Sequence, residues 1–241
     1  MSTLYLVPTP IGHLADITLR SLEVLRSVDR IICEDTRVSS KLLRHYDIQK
    51  PLQSIHQHNE HRAVPKLIES IRSGQRVAWI TDAGMPGISD PGFLAVRAAR
   101  QAGIPVVPLP GADAATTALV ASGLPCDRYL FEGFLPPKKG RQTRILALAD
   151  REITTIFYES PHRILKLLGE IETHLGADRL LFLAREMTKK FEEFDRGPAG
   201  ELHTAWKERP SIKGELVLIV AGAGYSEEND ENDPSPNPVK P

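Results

Sequence analysis

The sequence predicts an α/β protein of two domains, and three observations predict it. Short runs rich in Val, Ile and Leu alternate with segments of helical period through most of the chain. Single glycines stand just past several of the helical segments, in the position that ends a helix. Polar, glycine-rich stretches follow the apolar runs of the first half, where open sheets of this class place their loops and ligands. Together these describe mostly parallel sheets covered by helices.

Taken in order, residues 4–7 read as the first strand, and Leu19, Leu22, Leu25 and Val28 form an apolar helix face before a strand at 30–33. A helix through 41–46 follows, then a helix from about 62 to 73 stopped by Gly74, and a strand at 77–81. Residues 91–102 form a helix ending at Gly103, 106–109 the last strand of this half, and 113–121 its closing helix, broken by Gly123, Leu124 and Pro125. The second half restarts with a strand at 129–131, a Pro-Pro-Lys-Lys-Gly loop at 136–140 and a helix from about 141 to 149. Ser160 and Pro161 read as N-cap and first residue of a helix with the face Ile164, Leu167, Leu168, Ile171 and Leu175, closed by Gly176. Strands at 153–158, 180–184 and 215–221 complete a second sheet. The expected domains are 1–122, an N-terminal α/β domain with glycine-rich loops, and 123–222, a C-terminal α/β domain. Residues 223–241 are expected to be a disordered acidic and Pro-rich tail, because they offer almost nothing apolar to offset the entropy of ordering.

Composition excludes whole classes. With 41% hydrophobic and 25% charged residues in 241, the chain can bury real cores and is not disordered as a whole. Neither a secretory leader pattern nor a run near the roughly 18 apolar residues of a membrane span is present, so a soluble cytoplasmic protein is expected. Cys33 and Cys126 are too few for a disulfide framework or a thiolate metal site, and both read as small buried hydrophobes. Of the net charge of −1, residues 227–241 supply five acids against the single base Lys240, so the body of the chain is slightly basic and permits a polyanionic partner without demanding one.

Four loops carry the candidate chemistry: VPTPIGHLAD at 7–16, CEDTR at 33–37, TDAGMPGISDPG at 81–92 and PLPGADAATTALVASG at 108–123. In the third, Gly84, Gly87 and Gly92 let backbone groups approach a flat or charged ligand, and Asp82, Ser89 and Asp90 add side-chain donors and acceptors. Any one of these is an ordinary connector; four on consecutive strand ends mark a site. An acidic residue leading into a G-x-G-x-x-G turn, the fingerprint of Rossmann methyltransferases, is missing, and the close pair Gly222 and Gly224 precedes no helix and reads as linker.

These strings, with FEGFLP, IFYESPHR, LAREMTKKFEEFDRG and KGELVLIVAG in the same order over residues 3–222, closely resemble the tetrapyrrole-methylase superfamily, in the branch that methylates ribose in small-subunit ribosomal RNA. The resemblance implies two α/β domains of tetrapyrrole-methylase type, a homodimer, and S-adenosyl-L-methionine in a cleft between the domains. It also implies 2′-O-methylation of a cytidine near the decoding centre of 16S rRNA, within an assembled or assembling 30S subunit. Carried over motif by motif, the cofactor contacts are Pro8, Asp82, Ala83, Gly84, Ser89, Asp90 and Gly92, then Tyr158, Glu159, Ala184, Arg185, Gly214 and Glu215, with Glu186 beside them. No metal is required.

Methyl transfer to a ribose hydroxyl needs in-line positioning and a group that draws off the proton. Candidates for acid, base and positioning roles are Glu34, Asp35 and Arg37, and Glu186, Lys189 and Lys190; CEDTR can equally cap the following helix, and the two lysines can equally be solvated. Phosphate contacts are expected from Lys138, Lys139, Arg141 and Arg144, with Lys41, Arg44 and Arg37 in the first domain. His56, His58 and His61 resemble a metal site in spacing but sit in a polar loop with only Glu60 as an acidic partner, and a surface or dimer-contact loop is the expected reading. Two other readings stay open: a methylase of the same superfamily acting on a tetrapyrrole or a modified histidine, and a catalytically silent RNA-binding factor on this fold.

Overall fold

Successive residues of each strand in the first half point to opposite faces, which explains the layering that a computed structural model shows for residues 2–227. The chain divides into two compact units, the first ending at Ala114 and the second beginning at Ala115. The first unit runs β1 (Thr3–Leu6), α1 (Leu19–Ser27), β2 (Arg30–Cys33), α2 (Thr36–His45), β3 (Leu52–Ser54), α3 (Glu60–Arg72), β4 (Arg76–Trp79), α4 (Phe93–Gln101) and β5 (Val106–Pro108). Its sheet has the order β3-β2-β4-β1-β5, and every pairing is parallel. Ile31, Cys33, Ala78 and Ile80 point into one core with Leu22 and Leu25 of α1 and Leu42 and Leu43 of α2. Ile32, Val77 and Trp79 point into the other, with Leu67 and Ile71 of α3 and Ala95 and Ala99 of α4. Strands covered on both faces need apolar residues at every position, which is why they read as continuous runs.

Local signals set the helix ends. The Thr18 hydroxyl accepts from the Ser21 amide at 3.0 Å and opens α1. Gly74 at φ +111° and Gly103 at φ +69° turn the chain after α3 and α4 in conformations that side chains avoid.

The second unit contains α5 (Ala114–Ser122), β6 (Tyr129–Phe134), α6 (Arg141–Leu146), β7 (Thr154–Glu159), α7 (Ile164–Leu175), β8 (Leu180–Arg185), β9 (Glu193–Pro198), α8 (Ala199–Lys207) and β10 (Leu216–Val220). The division thus falls at the start of α5, just after its first residue Ala114, rather than at its end. The carbonyl of Ser122 at the end of α5 accepts from Arg196 Nε of β9 at 2.9 Å, which ties this helix to the second sheet. The sheet order is β6-β7-β10-β8-β9. Only β6 and β7 pair in parallel; β7 with β10, β10 with β8 and β8 with β9 are antiparallel. The expectation of mostly parallel sheets is therefore corrected for this unit. The short connection between β8 and β9 permits an antiparallel pair, which needs no crossover helix. α7 and α8 cover one face through Leu167, Leu168, Ile171, Leu202 and Trp206, packed on Phe157, Leu181, Leu183 and Leu218.

α7 begins at Ile164, and Ser160 offers its carbonyl, not its hydroxyl, to the amides of Arg163 and Ile164, so the expected N-cap sits one turn outside the helix. Cys33 is buried as expected, whereas Cys126 is exposed in the loop before β6 and is not a core residue. Residues 223–227 are held by the Ala223 amide on the Arg151 carbonyl at 2.7 Å and an ion pair between Arg196 and Glu227. The rest of the tail expected to be disordered, 228–241, lies outside the described residues.

Candidate active site

Ligands in open parallel sheets bind where neighbouring strands send their chains to opposite faces. β1 and β4 are such neighbours: α1 after β1 packs in one core, and α4 after β4 packs in the other. The loops leaving these two strands are VPTPIGHLAD and TDAGMPGISDPG. They are stitched together by a two-residue bridge, Thr9 amide to Gly84 carbonyl at 3.0 Å and Gly84 amide to Thr9 carbonyl at 2.9 Å. The buried hydroxyls of Thr9 and Thr81 complete the latch, on the carbonyls of Thr81 at 3.0 Å and Gly84 at 3.2 Å. A side chain at Gly111 would stand 2.8 Å from the Pro8 ring, so the loop after β5 runs against Pro8 only because residue 111 is glycine. Ser89 adopts φ +61°, a conformation that side chains rarely hold and that recurs at ligand-binding turns.

Three carboxylates meet at the ends of β2 and β4. Asp82 accepts from the Asp35 amide at 3.2 Å. Asp35 caps α2 through the Arg37 amide at 2.8 Å and grips the Arg37 guanidinium at 2.5 Å. The Arg37 side chain, followed by its amide, holds the Asp35 carboxyl down to about 2. Burial pushes the Glu34 carboxyl up, and the charge of Asp82 adds to the effect. Burial likewise raises Asp82, against the Asp35 amide and with the Asp35 charge. The capping reading of CEDTR is therefore right for Asp35, and the same electrostatics separate the candidates. A carboxylate held near 2 is a poor base, whereas Glu34 and Asp82 are moved toward the range where a base works at neutral pH.

Sequence reading missed Glu60, which lies only 6% exposed at the start of α3. Its Oε1 accepts from the amides of Gly92 at 3.1 Å and Leu94 at 3.2 Å, closing the N-terminus of α4, which has no cap of its own. Gly92 sits at φ +133°, and a β-carbon added there would stand 3.3 Å from the Trp79 indole nitrogen, so glycine suits this end of the TDAGMPGISDPG loop on both counts. No local pattern links a glutamate to amides 32 positions away. Glu60→Ala is expected to cost about 1–3 kcal/mol by leaving two amides without their acceptor. Urea unfolding followed by circular dichroism measures it, and a loss below 0.5 kcal/mol (roughly the scatter of neutral surface changes) would show that the contact is incidental.

The second unit gathers its candidates in the turn between β8 and β9. Glu186 and Thr188 both adopt positive φ, 51° and 62°. Lys189 bridges Glu186 at 3.0 Å and Glu215 at 2.6 Å, and the Glu215 amide donates to Glu186 Oε1 at 2.9 Å. Burial works against both ions, but the Glu215 amide and Lys189 hold Glu186 below the usual carboxylate range, and the two acids hold Lys189 above the usual lysine range. Lys189 is thus a fixed cation, not a base. A β-carbon at Gly214 would strike the Glu186 side chain at 2.5 Å, so glycine there is what lets the cluster form. Arg185 pairs with Glu193 at 2.7 Å, and Glu193, held to about 2 chiefly by Arg209, anchors the base of the turn.

Two of the expected site residues have their side chains in the interior of the second unit. Arg141, expected on phosphate, is 3% exposed and lies inside the second unit on Glu159 at 3.2 Å and Glu170 at 2.7 Å. A guanidinium buried on two carboxylates is not presented to RNA. Glu159, expected at the cofactor, has a fully buried side chain that also binds Arg163 at 2.7 Å, so its carboxylate serves this ion cluster. Tyr158 beside it rests edge-on against the rings of Phe131 and Phe134. Lys138 and Lys139 are exposed, and Arg144 is half exposed and 3.4 Å from Glu132. Lys41 and Arg44 continue from Arg37 along the exposed side of α2. The His56 amide is held by Asn59 at 2.9 Å and its ring meets that of His58, and Glu60 is committed to α4. Among the described residues no group of three or more His, Cys, Asp or Glu side chains could hold a metal ion.

A doubly wound parallel sheet with a glycine-rich switch-point loop, followed by a mixed-sheet unit, defines the class of methylase that binds its cofactor without the Rossmann fingerprint. The comparisons agree. The chain belongs to the tetrapyrrole (corrin/porphyrin) methylases, whose family profile matches residues 3–203, and within them to the group of ribosomal RNA small subunit methyltransferase I. The relative carrying that name in Pasteurella multocida (strain Pm70) is 52% identical over 96% of this chain and 83% of its own length. Those in Escherichia coli O157:H7 and Bacillus subtilis (strain 168) are 51% and 46% identical, over 94% and 96% of this chain and 80% and 79% of their own. Among solved structures, uroporphyrin-III-C-methyltransferase from Thermus thermophilus shares the fold at TM-score 0.64 and 22% identity, over 92% of this chain and 94% of that one. A cobalt precorrin-4 methyltransferase shares it at TM-score 0.68 and 17% identity, over 91% and 95%.

Proposed function

We propose that this protein transfers a methyl group from S-adenosylmethionine to small-subunit ribosomal RNA, at the 2′-oxygen of a cytidine near the decoding centre. The observation that carries the reading is the latched β1–β4 loop pair beside Glu34 and Asp82, in a chain whose relatives at 46–52% identity bear the name ribosomal RNA small subunit methyltransferase I. The cofactor fits the residues present. Its sulfonium and ammonium are cations, and among the described residues the three carboxylates Glu34, Asp35 and Asp82 have only Arg37 bonded within their group as a cation; burial first, and their mutual charge after it, raises Glu34 and Asp82. Pro8, Ala83, Gly84, Ser89, Asp90 and Gly92 would line it, with the glycines giving close backbone approach. Bound there, S-adenosylmethionine supplies an electrophilic methyl group on sulfur.

What the chain adds is orientation and proton management. The Thr9–Gly84 bridge and the Glu60 cap keep the loop from rearranging, so binding is not spent on ordering it. Glu34, raised by burial and by Asp82, is the group we assign to accept the ribose hydroxyl proton; Asp35 and Arg37 position the start of α2. In the second unit, Tyr158, Ala184, Arg185, Gly214 and Glu215 remain proposed cofactor contacts on the resemblance, and Lys189 serves as a fixed cation. Cytoplasmic location and a homodimer belong to the same proposal; among the described residues no helix is long and apolar enough to cross a membrane.

The test is transfer of labelled methyl to unmodified 30S subunits, free rRNA and a tetrapyrrole mixture in parallel. Label mapped to a ribose 2′-oxygen supports the reading, and label in the tetrapyrrole alone removes it. The corrected phosphate set makes a second prediction. Reversing charge at Lys138 and Lys139 is expected to weaken RNA binding at least tenfold at 0.1 M salt and to flatten its salt dependence by about two charges, while cofactor affinity stays unchanged. Arg141→Ala should instead appear as lost stability.

A further inference from the structure

Phe191 is the largest apolar side chain that the second unit's candidate loop leaves in water, at 62% exposure. It is not a frayed residue. The turn that carries it is closed by the Lys189 amide on the Glu186 carbonyl at 3.0 Å, the Glu192 amide on the Lys189 carbonyl at 3.1 Å and the Thr188 amide on the Glu192 carboxylate at 2.6 Å. Met187, buried to 6%, pins the turn to the unit, and the Lys189 bridge to Glu186 and Glu215 lies two residues from the ring. The turn, with two residues in positive-φ conformations, holds the aromatic outward. Lys190 Nζ stands 5.5 Å from the ring centroid, so a cation accompanies the exposed face.

An aromatic ring with a lysine beside it matches one ligand chemistry closely, a nucleotide whose base stacks on the ring and whose phosphate meets the ammonium. We infer that Phe191 is a base-stacking residue for the acceptor RNA, with Lys190 its phosphate contact. The inference rests on the rRNA reading above and deepens it. Sequence-specific recognition of RNA commonly targets loops whose bases are splayed from their neighbours, and a fixed aromatic replaces the stacking such a base loses. A base stacks on a flat ring and not on a branched alkyl chain, so Leu is the discriminating replacement.

Phe191→Ala, Phe191→Leu and Phe191→Trp are compared with the full chain in methyl transfer to unmodified 30S subunits. Both Ala and Leu are expected to raise KM for subunits about tenfold, within the roughly 5- to 150-fold range that alanine replacement of a stacking residue gives. Trp should restore it, and cofactor affinity by calorimetry should not change. Trp79 and Trp206 are both buried, so the indole added in Phe191→Trp is the exposed one; the emission it adds over the parent protein should be quenched by a small-subunit rRNA fragment but not by S-adenosylmethionine. Unchanged KM in the Ala variant, wild-type KM in the Leu variant, or a shift from dimer to monomer on sedimentation would overturn the inference. Absence of methyl transfer by the unaltered protein would remove the rRNA reading itself, and the inference with it.

Discussion

Glu159→Gln is expected to lower the stability of the protein by about 3 kcal/mol and its Tm by roughly 6–12 °C, without any cofactor present. The Glu159 side chain is fully buried and joins three groups: Arg141 at 3.2 Å, Arg163 at 2.7 Å and the Ser160 amide at 2.8 Å. Two charged partners that have left water are stabilised only by their mutual geometry, and removing the carboxylate leaves the Arg141 guanidinium, itself 3% exposed, on Glu170 alone. Breaking such a cluster costs far more than deleting a surface pair, because the charge left behind cannot be rehydrated. Glu170→Gln should cost less, since Glu170 is partly solvated. Differential scanning calorimetry of the two variants decides the matter. A Glu159→Gln protein with the parent's Tm but weakened cofactor binding would return Glu159 to the cofactor and undo its assignment to the ion cluster.

The same residue shows where sequence reasoning reaches its limit. FYESPHR identifies a functional family but does not say which atoms of Glu159 are spent on structure, because its buried partner Arg141 lies 18 positions back, outside the motif, and of its ion-pair partners only Arg163 lies within it. Periodicity located the strands at 30–33 and 106 onward and the helix faces at Leu22 and Leu25 and at Leu167, Leu168 and Ile171, because burial on a fixed face leaves a fixed spacing. It missed β9, whose sequence EFDRGP offers one large apolar residue and no alternation, and which is held instead by its ladder to β8 and by Arg209 on Glu193 and Asp195. β3, three residues long, carries too short a pattern to be seen. The glycine loops were legible as a group, since positive φ and close approach call for glycine whatever the ligand. The Glu60 cap and the Thr9–Gly84 bridge were not, since each joins segments far apart in the chain.

Asp82→Asn is expected to weaken S-adenosylmethionine binding by about 10- to 100-fold, the loss of a hydrogen bond to a charged partner, while leaving the ligand-free protein as stable as before or more so at pH 7. The two halves follow from one observation. Burial raises the Asp82 carboxyl above its ordinary value of 3.8, with the Asp35 charge adding to the shift. A raised acid binds its proton more tightly in the folded state, so its contribution to stability is fully present below the ordinary carboxylate range. That contribution is lost as pH climbs through the folded value, and at neutral pH the ionised group is a net cost to folding. Asparagine removes that cost and keeps an oxygen for the Asp35 amide. A cationic ligand would remove it in another way, by neutralising the charge, so the unfavourable electrostatics around Asp82 would become affinity on cofactor binding. Affinity should accordingly fall on acidification at a higher pH than an ordinary aspartate would give, as the raised carboxyl takes up its proton. Calorimetric titration at pH 7 and at two lower values, with thermal melts of the ligand-free proteins, reads both effects. Unchanged affinity in the Asn variant would remove Asp82 from the cofactor site. A large fall in Tm would show instead that the charge stabilises the fold, and the link between instability and binding drawn here would not hold.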